Sequence, residues 1–263
     1  MILYGKNIQK CKILSKKEVT MPKKYEEKNV LEAAIERLEI IFSNFENIYF
    51  SVSGGKDSSV MVQLANMVAK KMNKKFDVLY IDLEAQYKKT IEHVQELKKL
   101  PQIRDFYHIA LPMALRNAVS VLQPKWICWE EESKSLWVRD LPKDSINIHN
   151  NPFPWFKVGE EFEEFIVQFA EWYQEKYDGT VACGIGIRTD ESLNRFRTIA
   201  FQDKKVMFNN YHWTTKIKSG EKYLQVYNFY PIYDWRTEDI WGAVSKLNLK
   251  FNEIYELMYK NGL

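Results

Sequence analysis

The sequence predicts an α/β protein, a doubly wound parallel sheet with an aromatic-rich insertion. Three features predict it. Between residues 47 and 111, apolar runs of strand length alternate with segments of helical period, the pattern of βαβ units. The first run passes through two adjacent glycines, Gly54 and Gly55, directly into a helical pattern. The stretch 112–158 then breaks the alternation with Trp126, Trp129, Trp137 and Trp155 among the prolines Pro112, Pro124, Pro142, Pro152 and Pro154.

In chain order, residues 1–25 are basic and without period. They read as an arm for an anionic partner or as a solvated leader. Residues 26–44 place Leu31, Ile35, Leu38 and Phe42 on one helical face. The run 47–52 (NIYFSV) is the first strand, and 57–72 is a helix with Val60, Met61, Leu64, Met67, Val68 and Met72 inward. A second strand, 76–83, is apolar on both faces, as a central parallel strand is. A helix over 88–100 and a strand over 103–111 follow, with His108 read as a core-edge residue rather than a ligand. Within 112–158 the spacing predicts a short helix over 114–122. The insertion reads as a lid, its aromatic rings stacking a base or forming a small core of their own, with Lys125 and Arg139 as cations that could face a ligand. Then come a helix over 158–177 stopped by Asp178-Gly179, a strand over 180–187, and a helix from Thr189. A hairpin turns at Ser219-Gly220, Thr237 is the expected N-cap of the next helix, and a last helix spans 252–260. About five strands are expected in the sheet. The division reads as 1–45, a basic segment and helix, and 46–263, the α/β domain containing the insertion.

Composition bounds the class. The chain has 263 residues, 46% hydrophobic and 28% charged, an ordinary globular balance. A net charge of +3 is too small to argue for nucleic acid. Cys11, Cys128 and Cys183 are far apart, so neither a zinc site nor an iron–sulfur site is expected. No apolar run approaches membrane-spanning length, and the reading is a soluble, cytoplasmic protein with no membrane partner.

The chemistry gathers at strand ends. In SVSGGKDSSV, residues 51–60, the glycines let the backbone approach a ligand closely. The amides of the first helical turn point toward it with the positive end of the helix dipole. Lys56 adds a charge, and Ser53, Ser58 and Ser59 add hydroxyls, so Ser53, Gly54, Gly55, Lys56, Asp57, Ser58 and Ser59 form a candidate phosphate or sulfate site. The spacing is not that of a Walker A loop. The alternative is an ordinary loop whose serines are there by chance. In IDLEAQYKKT, residues 81–90, Asp82 and Glu84 fall beyond a strand's carboxyl end, where a carboxylate could hold Mg²⁺ or a ribose hydroxyl, or cap the next helix. In GIRTDESLNR, residues 186–195, Arg188, Glu191 and Arg195 would share one helix face. Two arginines there could clamp an anion with Glu191 orienting one of them, or form a surface ion-pair ladder.

SGGKDS after a strand resembles the PP-loop of the ATP-pyrophosphatase superfamily, the HUP-type or adenine nucleotide alpha hydrolase-like fold. GIRTDESLNR is similar to the arginine-bearing GIRxxES segment of phosphoadenylyl-sulfate (PAPS) reductases, and YPIYDWRTEDIW, residues 230–241, is similar to the PLxxWTxxDVW stretch that follows it. The resemblance is nearest to PAPS-reductase-like proteins of prophages and bacterial islands, often paired with a ParB-like partner, some described as co-activators of immunoglobulin-binding protein expression. It implies ATP or PAPS as the nucleotide, with Mg²⁺ held by Asp57 or Asp82. It implies Lys56, Asp57 and Arg188 as catalytic residues, and Ser53 to Ser59, Asp82, Glu84, Arg188, Glu191 and Arg195 around the nucleotide. Nucleic acid would enter only through a partner. PAPS reductases also use a cysteine near the C-terminus, and these residues hold none after Cys183. Relatives continue past the helix stop at Asn261-Gly262, which suggests a shortened or split gene. The expected activity is therefore ATP cleavage between the α- and β-phosphates to adenylylate a substrate. Sulfonucleotide reduction or sulfur transfer, and a nucleotide-dependent regulator, are the alternatives.

Overall fold

The computed structural model of the chain describes residues 27–116, 122, 124–200 and 204–262. The basic stretch 1–25, with its expected arm, lies outside them.

Helix α1, Val30–Asn44, starts where Asn29 Oδ1 accepts from the Glu32 amide at 3.0 Å, a side-chain N-cap. Strand β1 (Asn47–Val52), helix α2 (Lys56–Lys71), strand β2 (Phe76–Ile81), helix α3 (Lys88–Leu97) and strand β3 (Ile103–Ala110) follow as two βαβ units. Strand β4 (Ala114–Arg116) and strand β5 (Lys125–Ile127) form a small antiparallel pair. A helix was expected over 114–122, but its first residues instead pair as β4, and 117–121 lie outside the described residues. Arg116, Leu115 and Ala114 find cross-strand partners in Lys125, Trp126 and Ile127, a long-range register that local period cannot show. Strand β6 (Ile146–Asn147), helix α4 (Phe162–Tyr177), strand β7 (Val181–Ile185), helix α5 (Leu193–Ala200), strand β8 (Thr214–Ser219), strand β9 (Lys222–Phe229), helix α6 (Thr237–Leu247) and helix α7 (Ile254–Lys260) complete the chain. Thr237 is the first helical residue rather than the cap. Arg236 takes the N-cap position, its amide donating to Asp239 Oδ2 at 2.7 Å.

Seven strands form the main sheet in the order β6-β3-β2-β1-β7-β9-β8, all parallel to their neighbours except β8 against β9. The two beyond the expected five are the short β6 and one arm of the hairpin. The sheet is doubly wound. Chain direction runs outward from β1 through β2, β3 and β6, then returns to place β7 on the other side of β1. The carboxyl ends of β1 and β7 are therefore the switch point, where an open α/β sheet leaves a crevice. Ser51 opposite Ile185 in the register brings the loop after β1 beside the loop after β7.

Both faces are packed. On one, Leu38, Ile41 and Phe42 of α1 and Met61, Leu64 and Val68 of α2 meet Phe50, Phe76 and Phe229 of the sheet. Phe50 contacts Phe76 and Phe229 edge-on at centroid distances of 5.0 and 5.5 Å. Gly184 lies against it, because a β-carbon there would sit 2.3 Å from Phe50 Cδ1. On the other face Phe165, Phe169 and Tyr173 of α4 cover Tyr49, Leu79 and Cys183. Burying each large side chain contributes about 1.5–3 kcal/mol, and aromatic rings supply much of that on both faces. The insertion joins this second core. Trp129 and Phe153 are buried, and Phe153 meets Trp172 of α4 at 4.9 Å, edge to face. These two aromatics thus extend the second core of the sheet rather than forming a core of their own.

Candidate nucleotide site at the switch point

The site is built from one tight crossing. Gly54 adopts φ +76, and a β-carbon on it would lie 2.9 Å from both Thr90 Cγ2 and Val94 Cγ2, so α3 packs directly against the loop. Gly55 is the N-cap of α2 without a side-chain cap, and the Ser59 amide donates to its carbonyl at 3.0 Å as the first helical bond. The amides of Lys56, Asp57 and Ser58 therefore have no acceptor within the helix. Ser58 Oγ ties the loop inward: it accepts from the Ser53 amide at 3.2 Å and lies 3.1 Å from Ser53 Oγ. Ser59 points elsewhere. It is fully buried with its Oγ 2.8 Å from His93 Nε2 of α3, so the expected phosphate donor is a core contact. Burial holds the His93 imidazole down at about 4, which keeps it neutral.

The loop after β7 approaches from the other side of the switch. Gly186 packs on α2, a β-carbon there falling 2.9 Å from Ser58 Cα and 3.0 Å from Ser58 N. Arg188, two residues on, is buried at 3% exposure and donates from Nε to Asp57 Oδ1 at 2.7 Å. Lys56 Nζ donates to the other oxygen of Asp57 at 3.1 Å. Asp57 thus holds two cations at the mouth of the helix. Arg188 Nη1 is buried and has no hydrogen-bond partner among the described residues.

Arg188, Glu191 and Arg195 do not share a helix face, because α5 starts only at Leu193. The segment before it is fixed by tertiary bonds: the Thr189 amide donates to Tyr233 O at 2.8 Å, and Glu191 Oε2 accepts from the Arg188 amide at 3.3 Å. Glu191 lies between the two arginines, paired with Arg195 through one oxygen and 3.8 Å from Arg188 Nη2 through the other.

Asp82 and Glu84 are buried and face the insertion. Asp82 Oδ2 lies 3.0 Å from His108 Nε2, Oδ1 accepts from the Glu84 amide at 3.0 Å and from Arg139, and its carbonyl accepts from Trp129 Nε1 at 2.7 Å. Glu84, at φ +65, accepts from the Trp129 amide at 2.7 Å and the Val138 amide at 3.3 Å. The expected rim carboxylates are the clasp of the insertion, with Arg139 held over the Trp129 ring at 4.8 Å. Lys125 pairs with Glu161. His108 is buried, at the core position expected for it, and has Asp82 as partner.

The residues named for Mg²⁺ do not fit an ion as they stand. Asp57 is committed to Lys56 and Arg188, and Asp82 to His108, Arg139 and the Glu84 amide. Among the described residues no group of three or more His, Cys, Asp or Glu side chains could hold a metal.

A cavity of about 320 Å³ opens on the loop, lined by Ser53, Gly54, Gly55, Gln86, Tyr87 and Tyr255 among others. Two of its builders escaped the sequence reading. Asn252, 1% exposed, donates from Nδ2 to Gly54 O at 3.1 Å and to Thr90 Oγ1 at 2.9 Å, and Tyr255 OH accepts from the Lys56 amide at 3.1 Å. Asn252 Oδ1 also accepts from the Ile254 amide at 3.0 Å, and in the sequence it reads only as the start of the last helix.

The sequence pattern of the phosphoadenosine phosphosulfate reductase domain matches residues 47–261, from the first residue of β1 to the end of α7. The chain belongs to that family. It is 40% identical over 237 residues to YbdN of Escherichia coli (strain K12), covering 89% of this chain and 56% of that protein. It is 26% identical over 251 residues to MJ0973 of Methanocaldococcus jannaschii, covering 95% and 46%. The chain spans about half the length of the curated relatives it matches. In fold it is similar to a PAPS reductase from Candida auris solved as a phosphate complex, with 15% identity, coverage of 86% and 84%, and a TM-score of 0.46. Family membership covers the glycine loop, both neighbouring strand ends and the Asn252–Tyr255 corner in one continuous match. No helix among the described residues is long and apolar enough to cross a membrane.

Proposed function

We propose that the chain binds an adenine nucleotide across the switch point and cleaves ATP between the α- and β-phosphates, adenylylating a substrate and releasing pyrophosphate. The observation that carries this reading is Arg188: a guanidinium buried at 3% exposure beside the orphan amides of α2, with one nitrogen unpartnered among the described residues. A buried cationic donor without an acceptor costs free energy unless a ligand completes it, and an anion at a helix N-terminus does so. In the step, an acceptor nucleophile attacks the α-phosphorus. The bond from phosphorus to the α–β bridging oxygen breaks, pyrophosphate leaves with the electron pair, and the acceptor's proton passes to solvent. Lys56, Arg188 and the loop amides oppose the charge that collects on the leaving pyrophosphate.

Cys183 and Cys128 are fully buried, and burial pushes both up to about 12, so neither offers a thiolate among the described residues. Pyrophosphate release from ATP, measured with the co-purified partner present, tests the reading. Lys56→Ala is expected to lower it at least tenfold. Nucleotide binding with no turnover under those conditions would overturn it. A ParB-like partner belongs to the same proposal, and its absence from material purified out of the native host would remove it.

A further inference from the structure

The Lys56 amide heads the row of orphan donors on α2, and a protein hydroxyl already sits on it: Tyr255 OH, 3.1 Å away. The Tyr255 ring lies beside the loop as well, 5.7 Å from Lys56 Nζ, and a β-carbon on Gly55 would come within 3.4 Å of its hydroxyl. A tyrosyl oxygen in that position occupies the place that a phosphate oxygen would take on the same amide. We propose that α7 is a lid over the phosphate loop, with Tyr255 OH standing in for a ligand oxygen, so that phosphate binding and α7 displacement are one event. The inference rests on the nucleotide reading of this site.

The way α7 is held fits a part that moves. None of its residues is buried. Its fixed point is Asn252, just before it, buried and bound to Gly54 O and Thr90 Oγ1. Beyond that hinge it is held by the Glu253–Lys89 ion pair at 2.7 Å, by Tyr255 OH, and by the edge contact of Tyr255 with Trp241 at 5.7 Å. The ion pair is solvent-exposed and contributes little. The cavity of about 320 Å³ already lies between the lid and the glycines, so α7 leaves room for an anion to approach before it yields the amide.

The test uses the chain with its ring kept and its hydroxyl removed, Tyr255→Phe, titrated calorimetrically with inorganic pyrophosphate. Loss of a competing hydrogen bond is expected to tighten binding about three- to tenfold. Glu253→Gln, which loosens α7 without touching the amide, moves affinity in the same direction by a smaller factor. In the parent chain, pyrophosphate is expected to speed hydrogen exchange of amides in 254–260. Weaker or unchanged binding in Tyr255→Phe overturns the lid and makes Tyr255 a phosphate donor or a bystander. Unchanged or slower exchange over α7 overturns it too. If parent and variants all fail to bind both pyrophosphate and ATP, the nucleotide reading itself falls and takes the lid with it. Binding with equal affinities removes the lid alone.

Discussion

Gly186→Ala is the sharpest probe of the crossing at the switch point. A methyl there meets Ser58 Cα at 2.9 Å and Ser58 N at 3.0 Å, where ordinary contact begins at 3.4 Å. Both atoms are backbone of the first turn of α2, so no rotamer can relieve the clash. The N-terminus of α2 must move by the missing 0.4–0.5 Å, or β7 must. Overpacking of this kind costs about 1–3 kcal/mol, and in a domain of this size each kcal/mol lowers Tm by about 2–4 °C. The displacement matters more than the cost. An anion site tolerates only about 0.5 Å before its donors lose their aim. Urea melts followed by far-UV circular dichroism give the stability change, and calorimetric titration with pyrophosphate gives the binding change. Gly242→Ala, in α6 with nothing within 4 Å of the added carbon, serves as the control. It is expected to stabilise by about 0.5–1 kcal/mol through helix propensity alone. A Gly186→Ala protein within 0.5 kcal/mol of its parent, binding pyrophosphate equally well, would refute the close-crossing argument.

Two further outcomes follow from the same geometry. Arg188→Ala removes one of the two cations on Asp57, at 2.7 Å, and leaves Lys56 on the other oxygen, so the cost in a urea melt is about 1–3 kcal/mol, and pyrophosphate affinity is expected to fall at least tenfold. His93 makes stability pH-dependent. Its folded value is lowered to about 4 from an ordinary 6.5, chiefly by burial, so the unfolded chain binds the extra proton between those values. Stability therefore declines as pH falls from 6.5 toward 4, by up to about 3 kcal/mol for this group, and the decline should flatten in His93→Gln across that window.

Much of the frame was legible because local and global signals agree along it. An apolar run gives way to a period of about 3.6 across SVSGGKDSSV, and the glycines stand where the chain reverses, so strand, loop and helix could be placed to within a residue. Arg188 was legible from its position after a strand. What surrounds it was not. The helix expected from Thr189 starts only at Leu193, because the amides of Arg188 and Thr189 are bound to the Glu191 side chain and to Tyr233 O, acceptors that no local pattern shows. Ser59 was read by residue type as a donor. Its helical phase, one position before Val60 and Met61 on the buried face, pointed inward instead. Asp82 and Glu84 were placed at the right strand end with the wrong neighbours, since only the fold brings Trp129, Val138 and Arg139 to them. Tyr255 lies 199 positions from Lys56, and nothing local links the two.

The ends of the sheet carry a consequence for how the molecule meets its own copies. A strand edge is a template for another chain's backbone, and its danger grows with length and flatness. At one end the last strand is β6, two residues long, too short to seed a ladder. At the other, β8 offers six residues, but Lys216 and Lys218 stand within it and its pairing with β9 shifts register between them. A second copy laid along that edge would set like charges face to face and find the ladder broken. Two lysines and a register shift at one border, and brevity at the other, thus guard a sheet of apolar parallel strands against growing by intermolecular strand addition.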